Sequence, residues 1–245
     1  MRELAAQVQH AARTHAVVAL DYAGHGASAA PAAAGDYATD AIVGAAARAI
    51  DALAPASATS FVLVGHSYGC TIAARLARAW AGRGSVAGVA LLAPKTALAP
   101  HERLGLAALR AAVPAALLDA GAWLDARLGP ASVAAASVLS RAASPWLRAE
   151  QTRMAAAMSG AAKRSALLAA EFAGEREFRD FPAPLLLIGG TLDTVAPPDP
   201  NITAIERWTR VPATRSHLLI AGHQLMLEQP ARVNALLDAF IASLP

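Results

Sequence analysis

The ten residues Phe61-Val62-Leu63-Val64-Gly65-His66-Ser67-Tyr68-Gly69-Cys70 constrain this chain more than any other stretch. An apolar run gives way to Gly-His-Ser-Tyr-Gly, and a helical pattern follows. That order spells a strand, a sharp turn and a helix, with the turn in the form G-x-S-x-G. A serine on so tight a turn is held in a strained backbone conformation and needs small neighbours, here Gly65 and Gly69. The helix beginning after it aims free N–H groups and the positive end of its dipole at the reacting oxygen. Ser67 is therefore the candidate nucleophile.

The rest of the chain supplies a sheet for that turn to stand on. Ala16–Leu20, Phe61–Val64, Val86–Leu92, Pro184–Gly190 and His217–Ile220 are apolar runs bounded by turn residues, as buried parallel strands are. Helical patterns alternate with them at Leu4–His15, Tyr37–Leu53, Thr71–Trp80, Ile202–Thr209 and Pro230–Leu244. Thr39 or Asp40 is placed to cap the second helix, Gly82 and Gly84 to close the third, and Asn201 to cap the fourth. The expected class is α/β, a mostly parallel sheet covered by helices on both faces. From Lys95 to about Asp180 the strand rhythm stops. Leu104–Leu118, Ala120–Leu128, Ser132–Leu139, Pro145–Met158 and Ala161–Phe172 read as helices. The expected organisation is a core of residues 1–94 and 184–245 with a helical insertion over 95–183.

Composition narrows the partners. Eleven of the 21 Lys and Arg residues and eight of the 18 Asp and Glu residues lie between Lys95 and Ala183, so the net charge of +3 arises there. The basic residues are scattered and form no stripe with interleaved aromatics, which argues against nucleic acid. Cys70, the single cysteine, excludes an internal disulfide and reads as a small buried packing residue. No apolar stretch is long enough to span a bilayer and the first residues lack a signal-peptide pattern, so stable membrane insertion is not expected and a cytoplasmic location is. No metal site and no cofactor are expected.

Ligands of open parallel sheets gather at the carboxyl ends of the strands. Four loops leaving such ends carry Asp21–Ser28, Ser67, Asp193 and His223. A serine hydroxyl needs an imidazole to take its proton, and the imidazole needs a carboxylate to hold its tautomer. Ser67, Asp193, His223 is a workable set in that chain order. Asp199 competes for the acid role, and His217 is a weaker base candidate because it begins its strand. His25 and His66 flank the site as candidate hydrogen-bonding neighbours.

In these stretches the chain resembles the α/β-hydrolase family. Asp21-Tyr22-Ala23-Gly24-His25-Gly26-Ala27-Ser28 is similar to the family's D-x-x-G-x-G-x-S loop, and Gly65–Gly69 to its nucleophile elbow. Gly189–Asp193 with Pro197 resembles the acid loop, and Gly222–Pro230 the histidine segment G-H-x-x-x-x-E-x-P. The resemblance implies a serine hydrolase of a small ester, thioester, amide or related acyl compound. It places the Tyr68 backbone N–H in the oxyanion hole and the insertion as a cap over the site. Trp123 and Trp146 of that cap, with His66, are candidate substrate contacts, and the expected partner is a small acyl compound with an apolar portion. Acyltransferases and haloperoxidases of the family use the same triad, and a binding module without turnover is the alternative from another class. Family members carry three strands before the point where Arg2 stands. The third supplies the second oxyanion N–H and lies between the strands equivalent to Ala16–Leu20 and Phe61–Val64. The expectation is thus an N-terminally truncated form of the fold: a native chain that begins earlier, an inactive relic, or a sheet that pairs the two flanking strands directly and uses another oxyanion donor.

Overall fold

Leu185, Leu186, Leu187 and Ile188 are consecutive, fully apolar and all buried. A strand alternates its side chains between two faces, so four apolar residues in a row require a sheet covered on both sides. The computed structural model, which describes residues 3–81, 86–98 and 100–245, shows that arrangement. Leu185 and Leu187 join one core and Leu186 and Ile188 the other. Each such side chain contributes about 1.5–3 kcal/mol on burial.

Among the described residues the sheet has four parallel strands in the order β1 (Phe61–His66), β2 (Val86–Leu92), β3 (Leu185–Gly190) and β4 (Arg215–Leu219). On one face lie α2 (Thr39–Leu53), α3 (Tyr68–Trp80) and α10 (Pro198–Trp208), which supply Ile50, Ala74, Trp80 and Ile205 to the first core. On the other, α11 (Leu225–Glu228) and α12 (Pro230–Ile241) supply Met226, Val233 and Phe240 to the second. The first helix, α1 (Ala5–Ala11), lies against α12, with His10 paired to Asp238 at 2.8 Å. Between β2 and β3 the chain forms α4 (Pro100–Ala112), α5 (Ala115–Arg127), α6 (Val133–Val138), α7 (Pro145–Ala156), α8 (Gly160–Ala169) and the single turn α9 (Glu175–Phe178).

The structure corrects several sequence expectations. Ala16–Leu20 has no regular secondary structure and, among the described residues, pairs with no strand. An apolar run predicts burial, whereas a strand also needs a neighbour to bond. Val18 and Leu20 pack, partly buried, against the first core without one, and among the described residues β1 is an edge strand with Val64 37% exposed. The first break in the insertion falls at Pro114, which precedes α5 and cannot continue α4, not after Leu118. Neither Thr39 nor Asp40 caps α2, whose N-cap is Ala38. The buried Thr39 hydroxyl is taken by the Tyr68 hydroxyl, 2.8 Å away. Asn201 lies inside α10 and accepts from the Thr96 N–H and hydroxyl. The expected closure of α3 at Gly82 and Gly84 lies outside the described residues.

Candidate active site

The turn after β1 has the conformation its residues demand. Ser67 sits at φ 52°, ψ −119°, a left-handed backbone that costs a non-glycine residue about 1–3 kcal/mol. Its N–H is held by the Leu92 carbonyl at 2.9 Å. A Cβ on Gly65 would lie 2.4 Å from the Gly69 carbonyl oxygen, so only glycine fits there. Cys70 fastens the same turn from inside. Its thiol is within 3.3 Å of both the Gly65 and Leu92 carbonyls, and burial pushes its ionisation far up, so it serves as a neutral donor.

The loops after β3 and β4 bring two further groups to Ser67. His223 Nε2 lies 2.8 Å from Ser67 Oγ, and His223 Nδ1 lies 2.8 Å from Asp193 Oδ2. The other Asp193 oxygen accepts from the backbone N–H groups of Val195 and Ala196, each at 2.8 Å. An acceptor-only carboxylate at Nδ1 requires the proton on Nδ1 and leaves Nε2 free to accept from the serine hydroxyl. Burial alone would raise the Asp193 pKa. The hydrogen bond and charge of His223 and the two N–H groups outweigh it and hold the carboxyl below its ordinary value. The two loops are stitched together, since Thr191 N–H donates to the Leu219 carbonyl and Leu192 N–H to that of Ala221.

The other candidates are distributed unevenly. His66 lies within the site, with its Nε2 3.0 Å from the His223 carbonyl oxygen and its ring 4.8 Å from that of His223. Burial, then the neighbouring His223, push its pKa down to about 3, so it stays neutral and donates from Nε2. Tyr68 begins α3, where its N–H belongs to the free first turn of the helix. Its side chain turns away, to the Thr39 hydroxyl and, edge-on at 6.2 Å, to the ring of Phe172. Asp199 lies in the first turn of α10 and His217 within β4; neither takes a place in the Ser67–His223–Asp193 chain. His25 is exposed on its loop and bonds the Ala23 carbonyl.

Trp123 and Trp146 lie on the exposed surface of the inserted helices, in α5 and α7. They are 57% and 70% exposed, and Trp123 stacks under the Arg127 guanidinium at 3.5 Å. The amphipathic spacing of an alanine-rich helix does not say which stripe faces inward. Phe172, from the end of the same insertion, is the aromatic ring placed beside Tyr68. Residues of the site that sequence reasoning passed over include Lys95 and Glu228. Lys95 is buried, ion-paired with Glu102, and donates to the Val195 carbonyl at 2.8 Å. Glu228 accepts from the Gly222 N–H, next to His223. The acid of the G-H-x-x-x-x-E-x-P segment was the one available signal for Glu228; nothing local marked Lys95. Among the described residues no group of three or more His, Cys, Asp or Glu side chains is placed to hold a metal ion. In the same residues no helix is long and apolar enough to cross a membrane.

Residues 2–236 match the model of the alpha/beta hydrolase family. Among curated proteins, none matches the sequence. Solved structures with the same fold include a thermophilic esterase from Thermogutta terrifontis, with 20% identity, a TM-score of 0.74, and 98% of this chain and 84% of that one covered. A bromoperoxidase from Bacillus anthracis aligns with 18% identity and a TM-score of 0.77 over 99% of this chain and 87% of its own. An esterase from Exiguobacterium antarcticum aligns with 16% identity and a TM-score of 0.74 over 99% and 87%.

Proposed function

The chain belongs to the alpha/beta hydrolase family, and from that premise we propose that it is a serine hydrolase cleaving a small ester, thioester or amide through an acyl-enzyme. The observation that carries this reading is the unbroken hydrogen-bond chain Ser67 Oγ, His223 Nε2, His223 Nδ1, Asp193 Oδ2, with 2.8 Å at both links. Each group sits on a loop leaving the carboxyl end of a parallel strand. Ser67 Oγ attacks the acyl carbonyl as its proton passes to His223 Nε2. The oxyanion forms beside the Tyr68 N–H and the N-terminal end of α3. The tetrahedral adduct then collapses and His223 gives the proton to the departing alcohol, thiol or amine. Water attacks the acyl group, His223 accepts its proton and returns it to Ser67, and the carboxylic acid leaves. Asp193, held ionised by its three hydrogen bonds, keeps His223 in the required tautomer and stabilises its cation.

The helices between β2 and β3 serve as a cap in this reading. Labelling with a fluorophosphonate tests the proposal. Modification confined to Ser67 and abolished by Ser67→Ala is the expected result. A folded protein that remains unlabelled favours a binding module that keeps the fold without turnover.

A further inference from the structure

We infer that Glu228 is a positioning residue for the base, locking the His223 loop to the inserted helices through the segment at the end of α6. The inference rests on the hydrolase reading above. Glu228 is the last residue of the short helix α11, where a carboxylate gains nothing from the helix itself. Its Oε1 instead accepts two backbone N–H groups from separate parts of the chain, that of Gly222 at 3.0 Å and that of Ser140 at 2.9 Å. Gly222 precedes His223. Ser140 lies two residues beyond α6, in the insertion.

The same segment of the insertion meets the catalytic loops at two further points. The Val138 carbonyl accepts from the N–H of Gln224, the residue after His223, at 3.0 Å. The Ser137 carbonyl accepts from the hydroxyl of Thr194, the residue after Asp193, at 3.3 Å. The backbone of His223 is thus tied on both sides to residues 138–140, and the acid loop is tied beside it. The segment is itself anchored. Arg148 of α7 donates to the Ser140 carbonyl at 2.7 Å, and Leu139 is buried with Ala135 and Leu147, against which Leu227 packs. The fit is close enough to exclude a side chain at position 222. A Cβ there would stand 2.6 Å from the Ser140 nitrogen and 2.9 Å from Glu228 Oε1.

Asp193 orients the imidazole ring, but the ring is only as well placed as the backbone that carries it. Geometry of the reacting groups is steep in its effect on rate: a misplacement of about 1 Å costs on the order of a hundredfold. Glu228 supplies the acceptor for the two N–H groups at that junction.

The test is the rate of fluorophosphonate labelling at Ser67, measured against reagent concentration for the wild type and for Glu228→Ala, Glu228→Gln and Gly222→Ala. Glu228→Ala is expected to lower the saturating rate constant by about tenfold or more, with the half-saturating concentration nearly unchanged. Glu228→Gln keeps an acceptor oxygen and is expected to recover the rate to within about threefold of wild type. Gly222→Ala, which pushes Ser140 away without touching the triad side chains, is expected to behave like Glu228→Ala. Should Glu228→Ala fail to fold, the other two variants decide. A purely structural role would lower the melting temperature and the labelled fraction while leaving the rate constant of the folded fraction at the wild-type value, and that result overturns the inference. So does a glutamine variant as slow as the alanine variant. An unreactive wild-type Ser67 overturns the hydrolase reading and this inference with it, whereas equal rates in wild type and variants overturn the inference alone.

Discussion

The sheet core and the inserted helices differ in how tightly sequence dictates position. All six residues of β3 are buried, and its alternating side chains have defined partners on both faces. In α5, of comparable apolar content, no residue is buried, and Leu117, Trp123 and Leu124 are each more than half exposed. A strand in a covered sheet has no solvent face, so an apolar run there leaves one outcome. An alanine-rich helix has little side-chain volume on any face, so several orientations bury similar area, and neighbours decide among them. The loops that carry Ser67, Asp193 and His223 leave strands of the first region, and residues 137–140 of the second bond to Thr194, Gln224 and Glu228 beside them. Substitutions in the two should therefore behave differently.

The largest effect is expected at the proposed triad, which the strands of the core position. Ser67→Ala or His223→Ala should lower esterase turnover by on the order of 10⁴-fold or more, measured with an activated ester, while the circular dichroism of the folded protein is retained. A wild-type-like rate in either variant would remove the triad from the mechanism.

Next in size is the contrast in packing. Leu187→Ala, in the fully buried middle of β3, should cost about 2–5 kcal/mol in urea unfolding. Leu124→Ala, at a residue 60% exposed, should change stability by no more than about 0.5 kcal/mol. A large cost at Leu124 would show that α5 packs its exposed stripe against something, and the comparison between the regions would fail.

The third effect is a pH dependence that belongs to the core alone. His66 is neutral in the folded protein down to about pH 3, because burial and the adjacent His223 disfavour its cation, whereas in the unfolded chain it protonates near 6.5. Between those values the unfolded state binds the extra proton, so stability falls as pH is lowered from 6.5, by about 1.4 kcal/mol per unit, and is unaffected above it. Glu and Asp residues add their own slope below about pH 4. Asp193 has a depressed folded value, so its contribution is present above the ordinary carboxyl range and lost as pH falls through it. His66→Gln, whose amide nitrogen reaches the Nε2 position, should flatten the melting temperature between pH 6.5 and 4.5. An unchanged slope would mean His66 takes up its proton in the folded state.

The smallest effect is expected at Trp123→Ala. It removes the exposed stack on Arg127 and should cost less than about 1 kcal/mol of stability, with turnover unchanged. A substantial loss of turnover would place Trp123 on the substrate path.

The legible parts of the molecule share a physical character. Ser67 was marked by the small residues its turn requires, and Asp193 and His223 by their places after apolar strands; the structure sets all three within hydrogen-bonding reach. The hydrophobic runs of β1 to β4 were visible for the same reason, since a residue's preference for burial is its own property. Pairing is not. Ala16–Leu20 has the composition of a strand, yet becomes one only with a bonded neighbour, and among the described residues it has none.

The same distinction runs through the site. Sequence by itself determined the tight turn at Ser67, the chain order of Ser67, Asp193 and His223, and the alternation of strand-bearing and helical stretches, because each follows from local stereochemistry or periodicity. Only the tertiary structure decided that Thr39 bonds Tyr68 instead of capping its helix, that Trp123 and Trp146 face outward while Phe172 meets Tyr68, and that one oxygen of Glu228 joins Gly222 to Ser140. Those are relations between residues 29 to 104 positions apart in three cases of pairing, Thr39 with Tyr68, Tyr68 with Phe172 and Ser140 with Glu228. A hydrogen bond or a packed ring is a property of two groups and the distance between them, and that distance exists only once the chain has folded.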